Sequence, residues 1–206
     1  MKRTFNLLLA LLGWFAIIDQ FLLMLENRTT SVPEMIIRFF SFFTILTNII
    51  VAFYFTNQFF TSKKTSESLF NKAGSLTAIT IYITVVGLVY QIALRHLWKP
   101  TGLQRIIDEL LHTVIPTLVI IYWFFYEQKL KLKWKMIPKF LLYPLFYLGY
   151  ILLRGKFSDF YPYPFINVTE LGWPQIGINI LVLFSVFLIL SILFVGIGKL
   201  VSKNKT

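Results

Sequence analysis

The chain has 206 residues, 57% of them hydrophobic and only 14% charged, and its mean hydropathy is +0.71; that is too apolar for water to be its only solvent. Abundant apolar residues exclude a disordered chain, and the absence of cysteine excludes a disulfide scaffold or a thiolate metal site. The net charge of +11 would suggest nucleic acid for a soluble protein, but in a membrane protein the placement of Lys and Arg matters more than their sum, and no nucleic-acid partner is expected.

A helix needs roughly 20 mostly apolar residues to cross a bilayer. In chain order, such stretches run about 5–25, 35–55, 75–97, 109–126, 137–153 and 174–197. The first follows Lys2 and Arg3 and imitates a signal peptide, but its apolar run is too long and no small-residue cleavage site follows, so a retained span is expected. The loops are short, with no Gly/Ser tract and no internal repeat. The predicted architecture is an all-α integral membrane protein, a single six-transmembrane-helix domain over residues 1–206.

Counting the basic residues orients it. With six spans, the amino terminus, the second and fourth loops and the carboxyl terminus share one side. That side holds Lys2, Arg3, Lys63, Lys64, Lys72, Lys129, Lys131, Lys133, Lys135, Lys139, Lys199, Lys203 and Lys205, which is 13 of the 20 basic residues. Cytoplasmic loops are enriched in Lys and Arg, so both termini are expected in the cytoplasm. The acids point the same way, with Glu67 and Glu127 inside and six others outside. The run KLKLKWKMIPK from Lys129 to Lys139 reads as an inner-interface anchor, each Lys gaining about 1 kcal/mol from anionic lipid. Trp14, Trp98, Trp123 and Trp173 read as interface or packing aromatics. Asn27-Arg28-Thr29 and Asn167-Val168-Thr169 match the glycosylation triplet, which matters only in a eukaryotic secretory pathway.

Polar side chains inside spans are costly and face a bundle interior or a wet cavity, which makes them functional candidates. Span one carries Asp19 and Gln20; span two Ser41, Thr44, Thr47 and Asn48; span three Thr77, Thr80, Thr84, Tyr90 and Gln91; span four His112 and Thr113; span six Asn179, Ser185 and Ser191. At 1.5 Å of rise per residue, Asp19 lies ~9 Å, Thr44 ~13 Å and His112 ~5 Å below the outer ends of their spans. Asn179 follows Pro174 by five residues, again in the outer half. Four spans thus contribute to one layer, which predicts a polar pocket in the outer half.

Thr44 and His112 suit chemistry. Thr44, Thr47 and Asn48 are spaced i, i+3, i+4 and share a helix face. A threonine hydroxyl becomes a nucleophile when a base takes its proton, and histidine is suited to that task. The oxyanion formed on an acyl ester would need a donor, for which Asn48 is a candidate. Asp108 and Glu109 stand four and three residues before the histidine, placed to orient its ring, and Pro116 denies the His112 carbonyl its helical partner. Asp19 is expected to pair with Arg95 or Arg38 or to be protonated. The ordinary reading of an intramembrane threonine is a bond to its own i−4 carbonyl, and that of Asn179 is an interhelical hydrogen bond. Nucleotide, flavin and metal motifs are absent, so no cofactor and no metal are expected.

Taken together, SFFTILTN (Ser41 to Asn48), HTVIPTLVIIYW (His112 to Trp123) and YPYPFINV (Tyr161 to Val168) resemble the androgen-induced-gene family of multispan membrane proteins and its bacterial six-span relatives. The order and spacing match over nearly the whole chain. The resemblance implies a threonine hydrolase that cleaves the ester bond of fatty acid esters of hydroxy fatty acids in a bacterial plasma membrane, with Thr44 at the nucleophile position and His112 at the histidine position. It separates Thr44 from Thr47, which the residues alone do not. The rigid Pro and Tyr pairs of YPYPFINV, in an outer loop, are placed to lid the pocket with Tyr161 or Tyr163 near a substrate head; the ordinary reading is a loop packed at the interface. One position departs: relatives carry an acidic residue ten positions after the histidine, where this chain has Tyr122.

Two rivals belong to other classes. A proton-linked transporter of lipid or small molecules would use Asp19 and His112 as a relay, but the broken paired helices and two-half repeat of many transporters are missing. A non-catalytic scaffold would keep the fold alone, and the Tyr122 departure is its best argument.

Overall fold

The computed structural model describes residues 1–61, 69–97 and 99–203; Lys63, Lys64, Glu67, Trp98 and Lys205 lie outside the described residues. Every regular element among them is helical. Six helices are long and apolar enough to cross a membrane: Lys2–Glu26, Phe43–Phe60, Ser75–Leu94, Gly102–Tyr126, Trp134–Ser158 and Val168–Ser202. An apolar stretch of this length becomes a helix in lipid because only a helix satisfies its own backbone there. The chain divides into two compact units, Met1–Lys131 and Leu132–Thr206.

The first unit begins with α1 (Lys2–Glu26) and α2 (Val32–Phe39), followed by α3 (Phe43–Phe60). Span two is therefore not the continuous helix that its apolar run predicts. The backbone leaves the helical region at Phe42 (ψ 125°), so Thr44 falls in the first turn of a new helix. α1 lies antiparallel on α3 through a small-residue contact, where a Cβ added to Gly13 would meet that of Ala52 at 3.0 Å. Such approaches are how helices pack where lipid removes the hydrophobic drive. Trp14 donates to Thr56 Oγ1 at 3.1 Å, Asn6 to the Gln58 carbonyl at 3.2 Å, and Phe21 meets Phe39 edge to face. The opposite stripe of α1, with Leu7, Leu8, Leu11, Phe15, Ile18 and Leu22, is exposed.

α4 (Ser75–Val89) runs into a π turn at Tyr90–Leu94. α5 (Gly102–Glu109), a second π turn at Leu110–Val114 and α6 (Ile115–Tyr126) form one continuous span. α4 starts after Gly74, whose φ of 85° favours a residue without a side chain. Glu127 closes that helix start from the far end of α6. Its Oε2 accepts from the Thr77 amide (2.9 Å) and hydroxyl (2.7 Å), and Trp123 Nε1 donates to the same hydroxyl at 2.9 Å. A carboxylate there satisfies an otherwise bare amide and complements the helix dipole.

The second unit holds α7 (Ile137–Phe140), α8 (Leu142–Ser158) and α9 (Val168–Lys203). α8 ends at Asp159 in the left-handed region, φ 52°. The Tyr-Pro segment is then pinned locally. The ring of Tyr161 occupies the place that a Cβ on Gly155 would take, and burial with the nearby Asp159 charge pushes its phenol pKa up. Arg154 donates to the Phe160 carbonyl at 3.3 Å with its guanidinium over that ring. Asn167 Oδ1 accepts from the Thr169 and Glu170 amides, capping α9. α9 is interrupted at Gly172, φ 71° and ψ 159°, two residues before Pro174.

Candidate functional site

The site is built on the break in span two and the π turn in span four. α3 starts at Phe43, so Thr44 stands in its first turn. Ser41, Thr56, Thr80, Thr84, Thr117, Ser185 and Ser191 each bond a carbonyl four residues back. Thr44 Oγ1 lies 3.4 Å from His112 Nε2, at the long end of hydrogen-bond range. Thr44 and Asp108 are buried, and the His112 side chain keeps 12% of its exposure.

The imidazole is held from its other nitrogen. Nδ1 is 2.9 Å from the Asp108 carbonyl and 3.3 Å from Asp108 Oδ1. Both are acceptors, so in the neutral ring Nδ1 donates and Nε2 presents its lone pair to Thr44. Tyr90 stacks on the imidazole, centroids 4.1 Å apart and planes 16° apart, and its hydroxyl donates to Asp108 Oδ2. The expectation that Asp108 faces the ring is met, whereas Glu109 turns elsewhere. Glu109 accepts from Thr113 Oγ1 at 2.7 Å and pairs with Arg95, which also reaches Gln91.

Pro116 has no amide for the His112 carbonyl, and the chain shifts to a π turn in which the Ile115 amide reaches Leu110. Gly87 lets α4 approach the freed carbonyl, for a Cβ there would sit 3.2 Å from His112 O.

Asn48 requires a correction. Its Nδ2 donates to the Thr44 carbonyl at 2.9 Å and to the Leu111 carbonyl at 3.4 Å. Both amide hydrogens are committed, so Asn48 ties α3 to span four and is not a ready oxyanion donor. The first turn of α3, with the positive end of its dipole, is the group that favours negative charge beside Thr44. Thr47 is fully buried one turn further along.

Asp19 pairs with neither arginine. Arg38 is bound to Glu34 at 2.8 Å and Arg95 to Glu109, and Asp19 has no ion pair among the described residues. The register set by Gly13 at Ala52 and Phe21 at Phe39 nevertheless puts it near the level of Thr44. Asn179 and Tyr163 belong to the second unit. Asn179 Nδ2 donates to the Phe165 carbonyl at 2.8 Å and its Oδ1 accepts from Gln175, while Tyr163 stacks on Phe165 at 5.2 Å. Asn179 thus secures the Tyr-Pro segment to α9. Tyr122 lies ten residues, about 15 Å, along the span from His112, packed against Phe55 and Tyr126. The departure therefore falls at the opposite end of the unit from Thr44. Among the described residues no group of three His, Cys, Asp or Glu side chains is arranged to hold a metal.

Tyr90 stood among the polar residues of span three without a role. The signal available was its position, in the last turn of the span beside Gln91 and level with His112. No family model, curated protein or solved structure matches the chain.

Proposed function

We propose that the chain is an intramembrane threonine hydrolase of the androgen-induced-gene type, spanning the bacterial plasma membrane six times with both termini in the cytoplasm. Its substrate is an ester-bearing acyl lipid of the fatty acid ester of hydroxy fatty acid class, reached laterally from the bilayer. The single observation that carries this reading is the 3.4 Å approach of Thr44 Oγ1 to a His112 Nε2 whose ring partner, Nδ1, faces only acceptors.

In the mechanism, Nε2 takes the hydroxyl proton as Oγ1 attacks the acyl carbonyl. The tetrahedral oxyanion forms against the first turn of α3, where the helix dipole favours it. Collapse breaks the ester bond, and the departing alkoxide takes the proton from His112. Water, deprotonated by the same imidazole, then attacks the acyl-threonine and releases the fatty acid, returning the proton to Thr44.

The test is ester cleavage by the purified protein in detergent or bilayer discs. Wild type should release fatty acid, and Thr44→Ala and His112→Ala should each lose roughly 100-fold or more. Turnover that survives in Thr44→Ala removes the nucleophile. Proton-coupled flux in liposomes without ester cleavage would point to the transporter instead.

A further inference from the structure

We propose that Tyr90 is a positioning residue for His112, acting with the Asp108 carboxylate to hold the imidazole in the tautomer that presents a bare Nε2 to Thr44; this rests on the reading of His112 as the base. Two π turns in adjoining spans each supply one of the stacked rings, Tyr90 from Tyr90–Leu94 and His112 from Leu110–Val114. A π turn adds a residue to the helical turn and redirects the side chains that follow, and such turns are frequent at functional sites. Here the two redirections bring a phenol face to face with an imidazole.

The hydrogen bonds give the stack a direction. The Tyr90 hydroxyl donates to Asp108 Oδ2, leaving Oδ1 beside His112 Nδ1 at 3.3 Å. Tyr90 and Asp108 are both buried, so water does not compete freely for either oxygen. A carboxylate fixed at one oxygen cannot swing its other oxygen away, and an imidazole stacked on a buried ring cannot readily turn over. Flipping the imidazole would exchange each nitrogen for a carbon, leaving Cδ2 toward Asp108 and Cε1 facing Thr44. The phenol therefore restrains ring rotation through the stack and the carboxylate through its hydroxyl. The Tyr90 ring lies on the imidazole and its hydroxyl is given to Asp108, so it acts through His112.

The chain has two histidines, and His96 is exposed outside the site, so a His96→Gln background leaves one imidazole to observe. The experiment is nitrogen-15 NMR of histidine-labelled protein in detergent at a pH where an ordinary imidazole is neutral. It is paired with steady-state hydrolysis. With Tyr90 intact, Nδ1 should carry the proton and Nε2 should show the unprotonated signature. Tyr90→Phe, which keeps the stack, and Asp108→Asn should each give mixed tautomers and lower kcat roughly tenfold or more, with KM changed less than about twofold. The double variant should be little worse than either single, because the two act as one unit. An unaltered single tautomer in both variants overturns the proposal even if hydrolysis is intact. A fixed tautomer that Tyr90→Phe releases, in a protein that cleaves no ester, upholds the positioning and counts against the hydrolase reading alone.

Discussion

Gly87 faces the backbone carbonyl of His112 so closely that a Cβ would lie 3.2 Å from that oxygen and 3.4 Å from the Cβ of Pro116. Three local facts meet there. Pro116 frees a carbonyl, the π turn re-aims the imidazole, and a side chain of one hydrogen admits the neighbouring helix. Gly87→Ala should force a shift of a few tenths of an ångström, cost about 1–2 kcal/mol of stability and lower ester cleavage roughly tenfold, because small displacements of a base are expensive. Gly87→Val should do more on both counts. Thermal melts and initial rates on the same preparations check this, and a Gly87→Val protein with normal rates would contradict it.

Asn48 separates a strut from an oxyanion donor. Asn48→Ala should cost about 1–3 kcal/mol through two carbonyls left short of a donor, and Asn48→Asp more, since a carboxylate would face both of them. Hydrolysis per folded molecule should fall less than about tenfold in Asn48→Ala, well short of the 10²–10³ expected on losing an oxyanion-hole donor. Rates normalised to folded protein decide between the two.

Under the proposed mechanism, Glu127 is expected to act on the fold and not on the reaction. Glu127→Ala should lower stability by about 1–3 kcal/mol and leave hydrolysis per folded molecule within about twofold of wild type, because its contacts with Thr77 lie at the opposite end of α6 from His112. Glu127→Gln, which keeps one acceptor, should cost less. A selective loss of activity would contradict the separation.

Tyr161 gives the second unit a pH signature. Its phenol is held above the ordinary value of 10.0 by burial and by Asp159, so folding favours the neutral form. That contribution is full below the ordinary tyrosine range and fades as pH rises through the raised value. Alkaline titration followed by circular dichroism should show this loss in wild type and not in Tyr161→Phe. Gly155→Ala should destabilise the loop at every pH, and less so in combination with Tyr161→Ala, because the two groups compete for one space.

The six long helices were legible because each is a long apolar run. The break at Phe42 was not. Residues 39–43 are as apolar as their surroundings, so periodicity carries no trace of a change in ψ. In the candidate site, Thr44, His112 and Asp108 could be named because polar groups are scarce in such apolar helices and helical spacing fixes which of them face together. Tyr90 could not, since its role depends on two π turns, and only Pro116 announced either. The two carbonyls that Asn48 meets were not legible, because spacing places an amide on a face without saying which groups it bonds.

The most direct measurement of the central claim is the site of covalent capture by an alkyl phosphonate probe, read by mass spectrometry of the digested protein. The account predicts one adduct on Thr44, absent in Thr44→Ala and strongly slowed in His112→Ala with Thr44 present. An adduct on any other residue, or labelling at Thr44 that is indifferent to His112, would contradict it.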